Sequence, residues 1–289
     1  MINSLYEFQH ATKQAIENPE SFWNDIANEF QWKSPWKQTL AYDFLTPEIK
    51  WFVGGKLNIT ENCLDRYLTT QPNKTAILFE PNDPTEEAQH ITYKDLHSRV
   101  CQTANMLKAN GAKKGDRICI YMPMIPDLAI AVLACARIGA IHSVVFAGFS
   151  ATALAARIND ASCTMLLTAD GGFRGTKTIG LKDITDEALQ SCTSVESCIV
   201  FQRTNKEVNW NSIDRWWHEE IEKVDNHCPV EVMDSEDPLF ILYTSGSTGK
   251  PKGMVHTCGG YMVYTAYTFQ NVFQYQTTDV YWCCLLYTS

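Results

Sequence analysis

A segment rich in glycine, hydroxyl and lysine side chains follows the apolar run at residues 239–243. It comprises Thr244, Ser245, Gly246, Ser247, Thr248, Gly249, Lys250, Pro251, Lys252 and Gly253. Glycine lets backbone N–H groups approach an anion, hydroxyls donate hydrogen bonds to phosphate oxygens, and lysines supply positive charge. Because the apolar run is typical of a buried strand, the pattern predicts a strand that ends in a loop for a nucleoside triphosphate.

The same composition is also typical of a solvated surface loop. The tight spacing of hydroxyls, glycines and two lysines directly after a buried strand favours the phosphate interpretation. The spacing differs from the Walker pattern, because two residues separate Gly246 from Gly249 and Pro251 follows Lys250 where a helix should begin. An ordinary P-loop NTPase is therefore disfavoured.

Two further segments follow predicted strands. Residues 170–177 carry the cations Arg174 and Lys177 beside Gly175 and Thr176, which suits an anionic ligand. Residues 146–149 combine Phe146 with Gly148, a pairing of an aromatic ring with a residue that permits close backbone approach. Open α/β sheets bind ligands at the carboxyl ends of their strands. A charged solvent loop and a buried strand-end phenylalanine are the structural alternatives.

The elements that must position these segments alternate between strands and helices. Strands are predicted at 75–79, 117–121, 143–146, 164–168, 197–202 and 239–243, and helices at 92–110, 126–138 and 151–159. Thr92 and Ser150 have the side chains of N-caps, and Pro126 suits the first turn of a helix. The alternation predicts an α/β fold, a parallel sheet layered with helices on both faces.

Composition excludes some functions. The net charge of −9 argues against a nucleic-acid surface. The longest apolar run, residues 128–136, is too short to span a membrane, and the N-terminus shows no targeting pattern, so we expect a soluble, cytoplasmic protein. The cysteines, such as Cys119, Cys135 and Cys163, are predicted to be reduced core residues, and the histidines show no zinc pattern.

Several longer motifs carry a resemblance to a known family. They are WFVGGKLN at 51–58, NCLDR at 62–66, YMPMIP at 121–126, CARIGA at 135–140, HSVVF at 142–146 and DPLFIL at 237–242. Together with the segment 244–253, they resemble the acetyl-CoA synthetases of the adenylate-forming superfamily. The resemblance extends from about residue 22 to residue 283, nearly the whole chain.

The resemblance implies a reaction in which acetate and MgATP form acetyl-adenylate and pyrophosphate, and coenzyme A then takes the acetyl group and releases AMP. It assigns Thr244, Ser245, Gly246, Ser247, Thr248, Gly249, Lys250, Lys252 and Gly253 to ATP phosphates. It assigns Phe146, Gly148, Arg174, Gly175, Thr176 and Lys177 to coenzyme A. No catalytic residue and no ligand of Mg²⁺ is assigned. A synthetase for propionate or another short acid, and a piece that binds ATP or coenzyme A without turnover, remain alternatives.

The resemblance also implies a domain organisation. Residues 1–60 are predicted to be an N-terminal extension, and residues 61–283 part of the large adenylate-forming domain. Residues 284–289 depart from the family pattern and are predicted to be a foreign tail on an N-terminal fragment. We therefore expect a sheet that is incomplete toward its C-terminus, and no turnover by the 289-residue chain alone.

Overall fold

The computed structural model describes residues 1–244 and 250–282. Its helices there are α1 (Leu5–Glu17), α2 (Pro19–Ala27), α3 (Ile59–Cys63), α4 (Tyr93–Ala109), α5 (Pro126–Arg137), α6 (Ala151–Ala161), α7 (Leu181–Leu189), α8 (Trp217–Ile221) and α9 (Cys258–Val272). Its strands are β1 (Gln38–Asp43), β2 (Glu48–Val53), β3 (Lys56–Leu57), β4 (Thr75–Phe79), β5 (Gln89–Thr92), β6 (Arg117–Tyr121), β7 (Ile141–Val144), β8 (Met165–Ala169), β9 (Gly172–Arg174), β10 (Lys177–Ile179), β11 (Ser197–Phe201), β12 (Asp214–Trp216), β13 (Met233–Asp234), β14 (Pro238–Thr244) and β15 (Lys252–Thr257).

The largest sheet has seven strands in the order β12-β11-β8-β6-β7-β14-β15. Its first six strands are mutually parallel, and β15 returns antiparallel to β14. The strands β4 and β5 form a separate antiparallel pair. The predicted α/β class with a parallel sheet is therefore confirmed.

The helices begin where the sequence predicts. The Thr92 hydroxyl accepts the Asp95 N–H at 3.1 Å, and the Ser150 hydroxyl accepts the Ala153 N–H at 3.3 Å, so each satisfies a free donor in the first turn of its helix. Pro126 opens α5, where its missing N–H removes no helical hydrogen bond. These caps fix where the chain leaves the sheet and enters each covering helix.

Alternation along the central strand separates two core layers. On β6, Ile118 and Ile120 pack with α4 and α5, whereas Cys119 and Tyr121 pack with α6 and α7 on the opposite face. All four are at most 1% exposed, as expected for a strand covered on both faces. Cys135 and Cys163 are also fully buried, which confirms that these cysteines are core residues.

Among the predicted strands, the one before the segment at 146–149 is displaced furthest, by two residues. The strand predicted at 143–146 is β7, which ends at Val144. The chain then turns, with the Phe149 N–H donating to the Phe146 carbonyl at 3.0 Å, to reach the cap of α6. Phe146 is 56% exposed, so it is not a buried strand-end residue.

The chain divides into two compact units. The first comprises residues 1–56, residues 234–236 and the described residues from 259 onward. Tryptophans of this unit form an aromatic cluster around Phe52, which is 1% exposed, with Trp32 and Trp36 at centroid distances of 5.5 and 5.2 Å. The predicted boundaries at residues 60 and 283 remain predictions, and residues 284–289 lie outside the described residues.

The second unit comprises residues 57–233 and 237–258 and contains the seven-stranded sheet. Every segment that the sequence assigns to a ligand belongs to this unit. Across both units, none of the described helices is long and apolar enough to cross a membrane.

Candidate functional site

The candidate segments lie at one edge of the sheet because their strands are parallel. Across that edge, the segments that follow β11, β8, β6, β7 and β14 stand in that order. The end of β8, which leads into the β9–β10 hairpin, and the end of β14 at Thr244 are separated by three strand spacings, about 14 Å. The two candidate segments therefore lie at the same edge of the sheet, three strands apart.

The strand order reverses in the middle of this edge. Helix α5 connects β6 to β7 in one direction, and α7 leads from β8 towards β11 in the opposite direction. Such a reversal opens a crevice at the carboxyl ends of the strands, where α/β sheets bind ligands. Gly172 lies against Pro123 at this position, since a Cβ on Gly172 would stand 3.2 Å from the Pro123 Cβ.

Residues 244–253, called the phosphate segment from here on, begin in β14 and end in β15, and these two strands form a β-hairpin. Thr244 ends β14 and pairs with Lys252 of β15, so the segment between them joins two hydrogen-bonded strands. Thr244, Lys250, Lys252 and Gly253 are all exposed at this end of the sheet. Ser245, Gly246, Ser247, Thr248 and Gly249 lie outside the described residues. The return strand β15 was not predicted from sequence.

The second segment is also a hairpin rather than an irregular loop. Strand β9 pairs with β10, and Arg174 stands directly opposite Lys177. Gly175 turns the chain with a φ of +59°, a conformation that glycine adopts without strain. The Asn82 side chain donates to the Gly175 carbonyl at 2.8 Å. Arg174, Gly175, Thr176 and Lys177 are exposed at the tip, so both cations face solvent on one short ribbon.

A buried carboxylate anchors this hairpin. Asp170 is 0% exposed and accepts backbone N–H bonds from Gly171, Arg203, Thr204 and Lys206 at 2.6 to 3.2 Å. A buried charge is stable only when such donors surround it. Asp170 therefore fixes the segment after β8 to the segment after β11.

That anchoring places another cation beside the hairpin. The Arg203 guanidinium carbon lies 5.1 Å from the centroid of Phe173, and its Nη2 lies 3.3 Å from a Glu86 oxygen. The sequence reasoning missed Arg203 and the role of Asp170. The only sequence signal was their position just after two predicted strands.

The segment after β7 is held by contacts of its own. The Tyr121 hydroxyl donates to the Phe149 carbonyl at 2.8 Å, and burial raises the pKa of Tyr121 to about 12. A Cβ on Gly148 would stand 2.4 Å from the Phe146 ring, so any larger residue would require that ring to move. The structure thus brings Phe146 and Gly148 together, with the Phe146 ring over half exposed.

Three aromatic rings link the strands that lead to the phosphate segment. His142 of β7 stacks on Phe240 of β14 at 5.4 Å, and Phe240 stacks on His256 of β15 at 4.5 Å. Burial lowers the pKa of His142 to about 4, so its ring is neutral at pH 7. The stack connects the β14–β15 hairpin to β7, nearer the centre of the sheet, through an uncharged imidazole.

Among the residues that the structure describes, no group of three His, Cys, Asp or Glu side chains is arranged to hold a metal ion. The described ends of the phosphate segment offer hydroxyl and ammonium groups, which suit phosphate oxygens rather than Mg²⁺.

Comparison with known families agrees with this geometry. The model of the AMP-binding enzymes matches residues 64–287. This chain belongs to the AMP-binding enzyme family. A second model, the acetyl-coenzyme A synthetase N-terminus, matches residues 8–63.

Similar proteins extend the comparison. The chain is 53% identical over 283 residues to an acetyl-coenzyme A synthetase of Saccharophagus degradans, with 97% of this chain and 43% of that protein covered. It is also 53% identical to an acetyl-coenzyme A synthetase of Desulfatibacillum aliphaticivorans, with 96% and 43% covered. Among solved structures, it resembles the acetoacetyl-CoA synthetase from Streptomyces lividans, with a TM-score of 0.82 and 26% identity over 89% of this chain and 39% of that one. The chain thus spans less than half the length of these relatives.

Proposed function

We propose that this chain supplies the ATP-phosphate and coenzyme A surfaces of an acetate–CoA ligase that forms AMP. The observation that carries the proposal is the placement of two basic hairpins at one edge of a parallel sheet, on either side of its reversal of strand order. The names of the similar synthetases support acetate as the acid.

In the first half-reaction, an acetate oxygen attacks the α-phosphorus of ATP, and pyrophosphate leaves. Lys250 and Lys252, with the hydroxyl of Thr244, bind the β- and γ-phosphates and hold the leaving group in position. Positive charge placed there beforehand stabilises the transition state, since negative charge accumulates on the departing pyrophosphate. The sequence assigns residues 245–249 to the same task.

Mg²⁺ would arrive with ATP and neutralise part of the phosphate charge, as in other phosphoryl and nucleotidyl transfers. In this proposal the described residues bind the phosphate oxygens of the complex, because their side chains are donors and cations. We assign no ligand of the ion to them.

In the second half-reaction, the thiol of coenzyme A attacks the acyl carbon, and AMP leaves. Arg174 and Lys177 bind phosphate groups of coenzyme A from the tip of the β9–β10 hairpin, where Gly175 and Thr176 leave the backbone accessible. Phe146 and Gly148 contact the coenzyme nearer the centre of the edge.

Binding by the 289-residue chain tests this division. In calorimetric titrations, Lys250→Ala with Lys252→Ala should weaken MgATP binding about tenfold or more and leave coenzyme A binding unchanged. Arg174→Ala with Lys177→Ala should show the reverse. Lys94→Ala, which removes an exposed lysine from α4, is the matched control and should change neither. Equal losses for both ligands in both double variants would contradict two separate sites.

A role in binding without turnover is the second candidate, because the chain spans 43% of the length of the similar synthetases. Turnover is measured separately, as acetyl-CoA formed from acetate, MgATP and coenzyme A. We expect binding without product from the 289-residue chain. Product formation would overturn that expectation, and propionate in competition with acetate would then define the acid.

A further inference from the structure

Side chains of α6 contact the β14–β15 hairpin, whose paired strands form the stem of the phosphate segment. Tyr243 is the penultimate residue of β14, and its hydroxyl donates to the Asp160 carboxylate at 2.6 Å. Burial, and then the hydrogen bond to Asp160 and the charge of Asp160, raise the pKa of Tyr243, so the hydroxyl stays protonated and remains a donor at physiological pH. A charge-assisted hydrogen bond of this length is stronger than a neutral one.

An arginine from the same helix contacts the tyrosine ring. The Arg157 guanidinium carbon lies 5.7 Å from the Tyr243 centroid and 4.6 Å from the Phe149 centroid. Its Nη1 donates to the Ala153 carbonyl at 2.7 Å, which restricts the side chain. Arg157 thus contacts two rings, that of Phe149 in the segment after β7 and that of Tyr243 in β14.

The opposite strand is fitted to the same ring. Gly253 of β15 pairs with Tyr243, and a Cβ on Gly253 would stand 3.2 Å from the Tyr243 ring. The ring therefore lies against the backbone of the partner strand. Both strands of the hairpin stem are held by Tyr243, and Tyr243 is held by α6.

We propose that Tyr243, Asp160 and Arg157 are positioning residues that fix this stem and so place Thr244, Lys250 and Lys252 for the phosphates of ATP. The inference rests on the proposed function, since it names what orients the phosphate-binding groups. Thr244 is the last residue of β14 and Lys252 is the first residue of β15, so the stem that contains them sets their orientation. Groups that are already ordered lose less entropy when the ligand binds.

Tyr243→Phe removes the hydroxyl and keeps the ring. In the 289-residue chain, we expect amide hydrogen exchange within 252–256 to accelerate several-fold and the dissociation constant for MgATP to rise about fivefold. Coenzyme A affinity should be unchanged, which a general loss of folding would not allow. Tyr42→Phe, at an exposed tyrosine of the other compact unit, is the matched control and should change none of these measurements.

Substitutions at Asp160 separate the contact from the charge. Asp160→Ala should reproduce Tyr243→Phe, and the double variant should be no worse than either, because all three lose one bond. Asp160→Asn retains an acceptor and should restore most of the affinity. Additive effects in the double variant would overturn the proposal.

Two failures are distinguishable. If the unsubstituted chain binds no MgATP, the proposed function fails, and the positioning role fails with it. If it binds MgATP and Tyr243→Phe binds equally well with unchanged exchange, only the positioning role is overturned.

Discussion

The two basic hairpins present similar charges at the same sheet edge, but different forces hold them. The β9–β10 hairpin is anchored at its base by the buried Asp170, which accepts four backbone N–H groups. The β14–β15 hairpin continues the main sheet and is held by side chains, Tyr243 with Asp160 and the ring stack through Phe240. One buried side chain holds the first hairpin through several backbone donors, so its loss removes all of those bonds at once, whereas separate side-chain contacts hold the second hairpin and can be altered one at a time.

The difference suits the ligands proposed for each hairpin. A short ribbon on a buried anchor presents Arg174 and Lys177 as a fixed pair. A strand pair at the sheet edge, with α6 contacting one ring, positions the phosphate-binding groups through contacts that can be removed without loss of the fold. We therefore expect substitutions at Asp170 to affect global stability most, and substitutions at the edge hairpin to act locally.

The largest effect is expected for Asp170→Ala. The substitution leaves four backbone donors without their acceptor in a fully buried position, so the free energy of unfolding should fall by about 3–5 kcal/mol. Asp170→Asn keeps one acceptor oxygen, so its free energy of unfolding should fall by less. Urea unfolding followed by circular dichroism measures both, and Glu187→Ala at an exposed position of α7 is the control. A loss at Asp170 no larger than at Glu187 would contradict the anchoring role.

Stability should depend on pH near the β14–β15 hairpin, where His142 stacks on Phe240. His142 has a pKa lowered from 6.5 to about 4, so between those pH values the unfolded chain takes up a proton that the folded chain does not. Stability contributed by the neutral ring is present above pH 6.5 and is lost as pH falls towards 4, by about 3 kcal/mol in total. The folded ring stays neutral until the pH approaches 4, so the stack on Phe240 and His256 persists through this range while its stabilising effect declines.

The measurement compares pH profiles of urea unfolding. His142→Phe keeps an aromatic ring and removes the titration, so its stability should fall less steeply than that of the unsubstituted chain between pH 6.5 and 4. His10→Phe, at an exposed position of α1, should retain the full slope. Parallel profiles for His142→Phe and the unsubstituted chain would rule out this source of acid sensitivity.

Sequence reasoning succeeded where the determinants are local. The bounds of β6 match the predicted 117–121 because apolar residues occupy every position between Arg117 and Tyr121. Thr92 and Ser150 cap as predicted because a cap bonds to a donor only three residues away. The shared edge of the candidate segments followed from parallel pairing alone.

The anchors of the site were not predicted because they join distant parts of the chain. Asp170 bonds to residues 203–206, and Tyr243 bonds to Asp160 across 83 positions. Neither pairing produces a periodic pattern in the sequence from which it could have been predicted. Strand β15 was missed since its residues 252–255 are exposed and follow the polar segment without an apolar run.

The smallest changes in stability are expected for substitutions at one glycine of each hairpin. Backbone strain is the cause at Gly175, and crowding of neighbouring side chains is the cause at Gly253. A Cβ on Gly175 meets no atom within 4 Å, but the φ of +59° strains any other L-residue, so Gly175→Ala should lose about 1 kcal/mol and Gly175→Asn less. Gly253 lacks such a φ, and its added Cβ would instead crowd Ile241 at 3.0 Å and the Tyr243 ring at 3.2 Å.

Gly253→Ala should therefore change stability by no more than about 0.5 kcal/mol, because reduced freedom of the unfolded chain offsets the crowding. Its size should depend on the ring: in a Tyr243→Ala background the contact with the ring is lost and only the contact with Ile241 remains, so Gly253→Ala should become less unfavourable. Gly175→Ala has no partner to relieve its strain and should show the same loss in either background. Thermal unfolding of the two double-mutant cycles measures the coupling. If Gly253→Ala and Tyr243→Ala are strictly additive, the ring does not hold the partner strand, and the contrast between the two ways of anchoring a hairpin is lost.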